Sequence, residues 1–391
     1  AEANQLVTEL NRVAKETTFN GMNILDGTFK GKQFQIGADT GQVLRVDVDS
    51  AAATDIGAHT MKTEASAADF SAETITISGH SGSEDVTTVA GDSAEDIATK
   101  INAKTADTGV EASATTSAVL SGPVSGAADV ASTVSFEING VSTNTVAVPA
   151  AGAERLAGLR DAINEMSSQT GVTADINDAG QIELTDAAGG DISITNFSSS
   201  ADDSTMAISS GDGAATATLT SDADLTVDTD VDIKGQVTLT STESFSVATD
   251  TVDDAAGAAT NSMFNTKGVD ATEASADDVQ HFASKLTAVS EIDLTTSEGS
   301  ANAVKVIDVA LQKISQSRSE LGAVSNRLDS TISNLTNITV NVEASRSGVM
   351  DADFAKESSE MARGKILSQA ATAMLAQANS SQQNVLSLLR G

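Results

Sequence analysis

The sequence predicts a multidomain α plus β protein. An elongated helical coiled-coil rod with a β-hairpin carries α+β and β-rich outer domains inserted in its middle. Three observations predict this. Both flanks carry apolar residues at helical spacing, the flanks are neutral while the middle is acidic, and the middle holds one structural unit twice.

Residues 1–18 place Leu6, Leu10 and Val13 on one helical face, with Glu2, Glu9, Arg12, Lys15 and Glu16 on the others. Asn20–Gly21 favours positive φ and is expected to end that helix. Residues 29–49 alternate through Phe34 and Ile36, then Leu44, Val46 and Val48. A Gly37–Gly41 turn between them makes a β-hairpin.

The repeat spans residues 73–114 and 134–176. Each copy reads strand, turn, strand, then a helix with Ile-Asn near its end, then Thr-Gly-Val and a further strand. Ile75, Ile77, Val86 and Val89 precede a helix carrying Ile97 and Ile101. Phe136, Ile138, Val146 and Val148 precede one carrying Leu156, Leu159 and Ile163. Thr108-Gly-Val110 matches Thr170-Gly-Val172, so two related small α+β modules are expected. Ile182–Leu184 and Ile192–Ile194 extend the second as strands. Residues 203–250 alternate as further strands, and 251–300 hold a loop and a short helix near 276–285.

Residues 300–342 form a long helix with Ile307, Leu311, Ile314, Leu321, Val324, Leu328, Ile332, Leu335, Ile338 and Val342 stepping mostly by 4 or 3. At 1.5 Å per residue it is roughly 65 Å long, the spine of a rod, with the N-terminal helix as its antiparallel partner. Ser345 and Ser347-Gly348 break the pattern over 343–350. Asp351 and Asp353 then sit where a helix N-terminus favours anions. From there to Gly391, Phe354, Met361, Leu367, Met374, Leu375, Leu386 and Leu389 form a narrow stripe on an otherwise Ala, Ser and Gln surface. Such a helix is not stable alone in water and requires partner helices, so the chain is expected to polymerise. The expected boundaries are 1–49 for the N-terminal core and hairpin, 50–130 and 131–200 for the two modules, 201–290 for the β-rich segment, 291–343 for the long core helix and 344–391 for the last helix.

Residues 51–300 hold 40 acidic and 8 basic residues, a net of −32, and the flanks together are at −1. Neutral ends can pack against copies without Coulomb repulsion. An acidic middle stays in water and argues against nucleic acid as a partner. With no Cys, there is no disulfide and no thiolate nucleophile or ligand. No apolar run is long enough to span a bilayer. The chain opens on Ala1 in mid-pattern, so a segment upstream is expected.

Catalytic, metal and cofactor sites are not expected. No His-Glu-x-x-His run occurs, and the three His are scattered at 59, 80 and 281. Asp228, Asp230 and Asp232 resemble the start of a calcium loop, but Lys234 follows, Gly235 is out of place and Leu239 stands where a bidentate Glu is needed. They read as the solvated face of a strand. Asn196-Phe-Ser198 fits a glycosylation sequon.

Several ordered runs resemble the bacterial flagellins. They are Thr18-Phe-Asn-Gly21, Ile24-Leu-Asp-Gly27, Leu321-Gly-Ala-Val-Ser-Asn-Arg327, Asn334-Leu-Thr-Asn-Ile338, Asp351-Ala-Asp-Phe354, Ala373-Met-Leu-Ala-Gln-Ala-Asn379 and Val385-Leu-Ser-Leu-Leu389. The resemblance covers 1–49 and 290–391, and the two central copies look like insertion modules of flagellin variable regions. It implies a non-enzymatic filament subunit serving motility, exported unfolded and polymerised outside the cell. Its partners would be other copies, an export chaperone, and cap and junction proteins. Leu6, Leu10, Val13, Leu311, Ile314, Leu321, Val324, Leu328, Ile332 and Leu335 would pack the rod. Phe354, Leu367, Met374, Leu375, Leu386 and Leu389 would pack the inner tube. Glu9 and Arg12 align with part of the surface read by the innate flagellin receptor, or are simply solvated helix charges. The family's N-terminal inner-tube segment does not match here, so this chain alone is not expected to form a normal filament. The alternatives are a hook–filament junction protein and a cell-surface binding or adhesion protein.

Overall fold

The structure, a computed structural model, describes residues 2–36, 41–67, 69–125, 128–129, 131–152, 155–201, 203–213, 215–221, 230–249, 263–264, 280–389 and 391. It is a mixed helix and sheet protein that divides into two units, residues 1–26 with 50–315, and residues 27–49 with 316–391.

In the first unit, the helix Glu2–Glu16 is followed by a two-stranded hairpin, Thr18–Phe19 against Met22–Asn23. Asn20 and Gly21 both have positive φ, 51° and 76°. The pair therefore forms the hairpin turn rather than the helix cap expected from sequence, because two consecutive left-handed residues match the twist of paired strands.

Both copies of the repeat fold alike. Thr74–Ser78 and Ser83–Thr87 pair ahead of the helix Ala94–Asn102 and the strand Glu111–Leu120. Ser132–Ile138, Val141–Ser142 and Val146–Val148 stand ahead of the helix Ala157–Glu165 and the strand Val172–Ile176. In each copy a short helical turn ends on a left-handed glycine, Gly109 or Gly171, where other residues would be strained. Val89, expected within a strand, lies just beyond one and is exposed.

Glu111–Leu120 organises the unit. Alternate residues Ala112, Ala114, Thr116, Ala118 and Leu120 are buried, as period-2 alternation dictates. The strand pairs with Gln236–Ser241 along its first half and with Ile182–Asp186 along its second. It thereby feeds two cores. One gathers Ile75, Ile77, Ile97, Ile101, Val237 and Leu239, and the other Phe136, Ile138, Leu159, Ile163, Leu184 and Ile194. Gln280–Ala283 is a strand on Ser246–Thr249, not part of the short helix expected near 276–285. Phe282 packs there against Phe264 and the first core, and that burial overrides local helical preference. Residues 276–279 of that expectation lie outside the described residues.

In the second unit, Lys32–Gln35 pairs with Val43–Val46, placing the expected hairpin over 29–49. Its expected turn, 37–41, lies outside the described residues except for Gly41. The helix Ser297–Leu388 enters this unit at residue 316. It does not break over 343–350. Ser345 Oγ donates to the Asn341 carbonyl at 2.8 Å and Ser347 Oγ to Asp351 at 3.1 Å, so both hydroxyls are satisfied on the helix itself. A lone Gly348 costs only about 1 kcal/mol. Asp351 and Asp353 therefore lie within a helix and not at its start.

Candidate assembly surface

The N-terminal helix turns Ala3, Val7, Leu10, Asn11, Ala14 and Thr17 toward the protein, with Ala14 buried and Asn11 Oδ1 accepting from the Ala53 amide at 2.9 Å. Leu10 is half-buried on this face. Leu6 is 71% exposed, and Val13 is exposed beside it. The covered face thus runs one residue away from the Leu6–Val13 pair, leaving that pair as a free apolar edge.

Glu9 and Arg12 lie on the same exposed surface. Arg12 donates from Nε and Nη2 to the two Glu9 carboxylate oxygens at 2.8 and 2.5 Å, and from Nη1 to Glu16. The hydrogen bonds from Arg12 hold the Glu9 carboxyl below its ordinary range, and those to Glu9 and Glu16 raise the guanidinium. Arg12 lies one helical turn from each of the two carboxylates, at i,i+3 from Glu9 and i,i+4 from Glu16, enough to account for both residues without a ligand.

Along the long helix, coverage fades with residue number. Ala303, Val306 and Ala310 are buried, Ile314, Val324, Leu328 and Leu335 are half-buried, and Leu311, Leu321 and Ile332 are exposed. Beyond residue 340 apolar side chains lie open to solvent: Phe354 is 76% exposed, Met374 72% and Leu389 80%, with Met361, Leu367, Leu375 and Leu386 alike. Ile366, Val349, Met350 and Val385 are also exposed and lie outside the single stripe that the spacing predicts. Their bulk in an Ala- and Ser-rich stretch was the available signal. Residues 316–391 carry seven acidic and seven basic side chains, and none between Lys365 and Arg390. This segment presents more large apolar surface than a soluble monomer ordinarily leaves bare, without net charge to oppose a neighbour.

Among the described residues no cluster of His, Asp and Glu is arranged to hold a metal ion, and no helix is long and apolar enough to cross a membrane. Asp232 is exposed in the strand Val231–Ile233, and Asp228 lies outside the described residues. Lys234 is buried, and its Nζ pairs with Asp191 at 2.5 Å and Asp69 at 2.9 Å. The His80 ring lies against Gly109, and the Asn196 amide donates to Glu137 at 2.8 Å.

Residues 304–389 match the family described as the bacterial flagellin C-terminal helical region, and residues 74–122 and 133–188 match the flagellin hook IN motif. The two hook IN matches fall on the two structural copies. The B-type flagellin of Pseudomonas aeruginosa is 31% identical over 396 residues, covering 98% of this chain and 75% of its own length. Flagellin B of Helicobacter pylori is 29% identical over 422 residues, covering 100% of this chain and 78% of its own length. Polar flagellin C of Vibrio parahaemolyticus is 48% identical over 104 residues, 27% of each chain.

Proposed function

This chain belongs to the bacterial flagellins and is a structural subunit of the flagellar filament; from that premise we propose that copies join through the exposed helical surfaces described above. The family is structural, not enzymatic. Leu6, Leu10 and Val13 with Leu311, Ile314, Leu321, Val324, Leu328, Ile332 and Leu335 pack as a coiled-coil rod. Phe354, Leu367, Met374, Leu375, Leu386 and Leu389 pack the inner tube. The observation that carries this reading is the bare, charge-balanced apolar helix beyond residue 340. Each Leu or Ile buried between copies contributes roughly 1.5–3 kcal/mol, repeated at every subunit.

The same exposure accounts for the finer partners. A segment that aggregates when bare needs an export chaperone before polymerisation, and a growing end needs cap and junction proteins that accept the same stripe. The subunit then works outside the cell, with its acidic middle facing water. Glu9 and Arg12 are a receptor-facing candidate whose contribution is read by binding of Glu9→Ala and Arg12→Ala chains to the innate flagellin receptor.

Leu328→Asp tests the assembly surface. A carboxylate in a packed helical seam is left without a partner, at a cost of several kcal/mol. In the flagellated cell the variant should give no filaments by electron microscopy and no swimming. Filaments of ordinary length would overturn the reading.

A further inference from the structure

The first unit contains a hydroxyl-lined cavity that the assembly surface does not use. In the strands Gly57–Lys62, Glu111–Leu120 and Gln236–Ser241, one face is apolar, with Met61, Leu239 and Ala112 on a core. The opposite face is polar. Strand register sets Ser113, Thr238 and Lys62 side by side on three neighbouring strands, with Glu111, Thr240 and Thr60 in the next row. The start of the long helix brings Asn302, Lys305 and Val306 to this face, closing a cavity of about 140 Å³ with Thr60, Lys62 and Thr238 in its wall. At roughly 30 Å³ per liquid water, that is room for several waters or one compact ion.

Lys305 is the unusual member. It is half-buried, and its Nζ donates to Ser113 Oγ at 2.6 Å. Among the described residues no carboxylate pairs with it, in a chain holding 55 acidic side chains. Burial alone pushes the ammonium below the ordinary lysine range. Water can fill its remaining N–H positions but cannot supply a counter-charge, and a partly desolvated cation without one is costly. Thr60 and Thr287 already bond each other at 2.6 Å, so their hydroxyls are held in fixed orientation at the wall. Glu111, exposed on the same sheet face, is the acidic group that would oppose an anion at the rim.

We propose that this cavity binds a compact tetrahedral oxyanion of the phosphate or sulfate type, held by Lys305 with Lys62, Thr238 and Asn302. An oxyanion provides both the missing charge and several acceptors for convergent N–H and O–H donors. The expected affinity is modest, since the protein's net charge of −33 repels anions at long range.

Titration of the intact, isotope-labelled chain with inorganic phosphate, then sulfate, against sodium chloride at equal ionic strength, tests this. Saturable shifts should appear at the Thr60, Thr238 and Asn302 amides with both oxyanions and not with chloride. Lys305→Met should weaken phosphate binding at least about tenfold, whereas Ser113→Ala, which frees the ammonium, should retain it. Thermal unfolding of each variant verifies that it is folded, and Lys62→Met is the substitute if Lys305→Met is not. Absence of saturable shifts in the unsubstituted chain overturns the proposal. Binding unchanged in a folded Lys305→Met chain overturns it equally.

Discussion

Asn164 holds the backbone of Ala174 at both ends. Its Oδ1 accepts from the Ala174 amide and its Nδ2 donates to the Ala174 carbonyl, each at 2.8 Å. Asn102 does the same to Ala112 in the first copy, again at 2.8 Å and again ten residues on. The side chain takes the place of a neighbouring strand and fastens the helix end to the strand that follows. Asn164→Ala leaves two half-buried backbone groups without partners and should cost roughly 2 kcal/mol. Asn102→Ala should cost about the same. Asn164→Asp should not rescue, because a carboxylate oxygen would face the Ala174 carbonyl. Urea unfolding followed by circular dichroism checks all three.

The helix Ala94–Asn102 begins with a reciprocal cap. Ser93 Oγ accepts from the Asp96 amide at 3.1 Å, and Asp96 Oδ2 accepts from the Ser93 amide at 3.1 Å. The hydrogen bond from the Ser93 hydroxyl, then that from its amide, lowers the Asp96 pKa. A lowered carboxyl stabilises the fold above its ordinary range, and that contribution is lost as pH falls through the lowered value. Ser93→Ala should cost about 1 kcal/mol at neutral pH. The difference between the two chains should shrink on acidification below the ordinary carboxylate range, as paired acid titrations would record.

Gly109 has a φ of +73°, and a β carbon there would sit 2.0 Å from His80 Cε1. Gly109→Ala therefore meets two obstacles. The ring can swing away, but the left-handed backbone remains, at about 1–2 kcal/mol. Adding His80→Ala should recover only the smaller, steric part. A double-mutant cycle on thermal stability separates them.

Folding and assembly should respond to different leucines. Leu159 is fully buried in a core, so Leu159→Ala should lose about 2–5 kcal/mol of stability. Leu367 is 62% exposed, so Leu367→Asp should leave the chain's melting unchanged and abolish polymerisation. Calorimetry and sedimentation on the two variants distinguish these outcomes.

Sequence spacing revealed what is local. The copies were legible because Ile101-Asn102 and Thr108-Gly109 recur as Ile163-Asn164 and Thr170-Gly171, and each recurrence marks the same helix end and turn. The long-range pairing was not legible. Nothing near Glu111–Leu120 announces that it pairs with Gln236–Ser241, because register depends on surfaces brought together only on folding. By sequence Lys234 only spoils a calcium loop; in the structure it is a buried cation whose partners, Asp69 and Asp191, lie far away in sequence. Burial penalises its ammonium, yet the bonds to Asp191 and Asp69 hold its pKa above the ordinary lysine range. The continuity of the helix through 343–350 is not legible in the sequence, because its serines bond back to the helix, which residue type alone does not disclose. Spacing gives the candidate packing residues a common helical face, but it does not give the covered face of the first helix, since Leu6 outweighs Ala3 and Ala14 in any hydropathy count.

The uncharged run from Ile366 to Leu389 has a thermal consequence. Contacts formed there draw on the release of hydration water, not on Coulomb attraction, so diluting the buffer leaves them untouched. That driving force fades in the cold and carries a negative heat capacity of association. Subunits joined by this stretch should loosen on chilling and tighten again on warming.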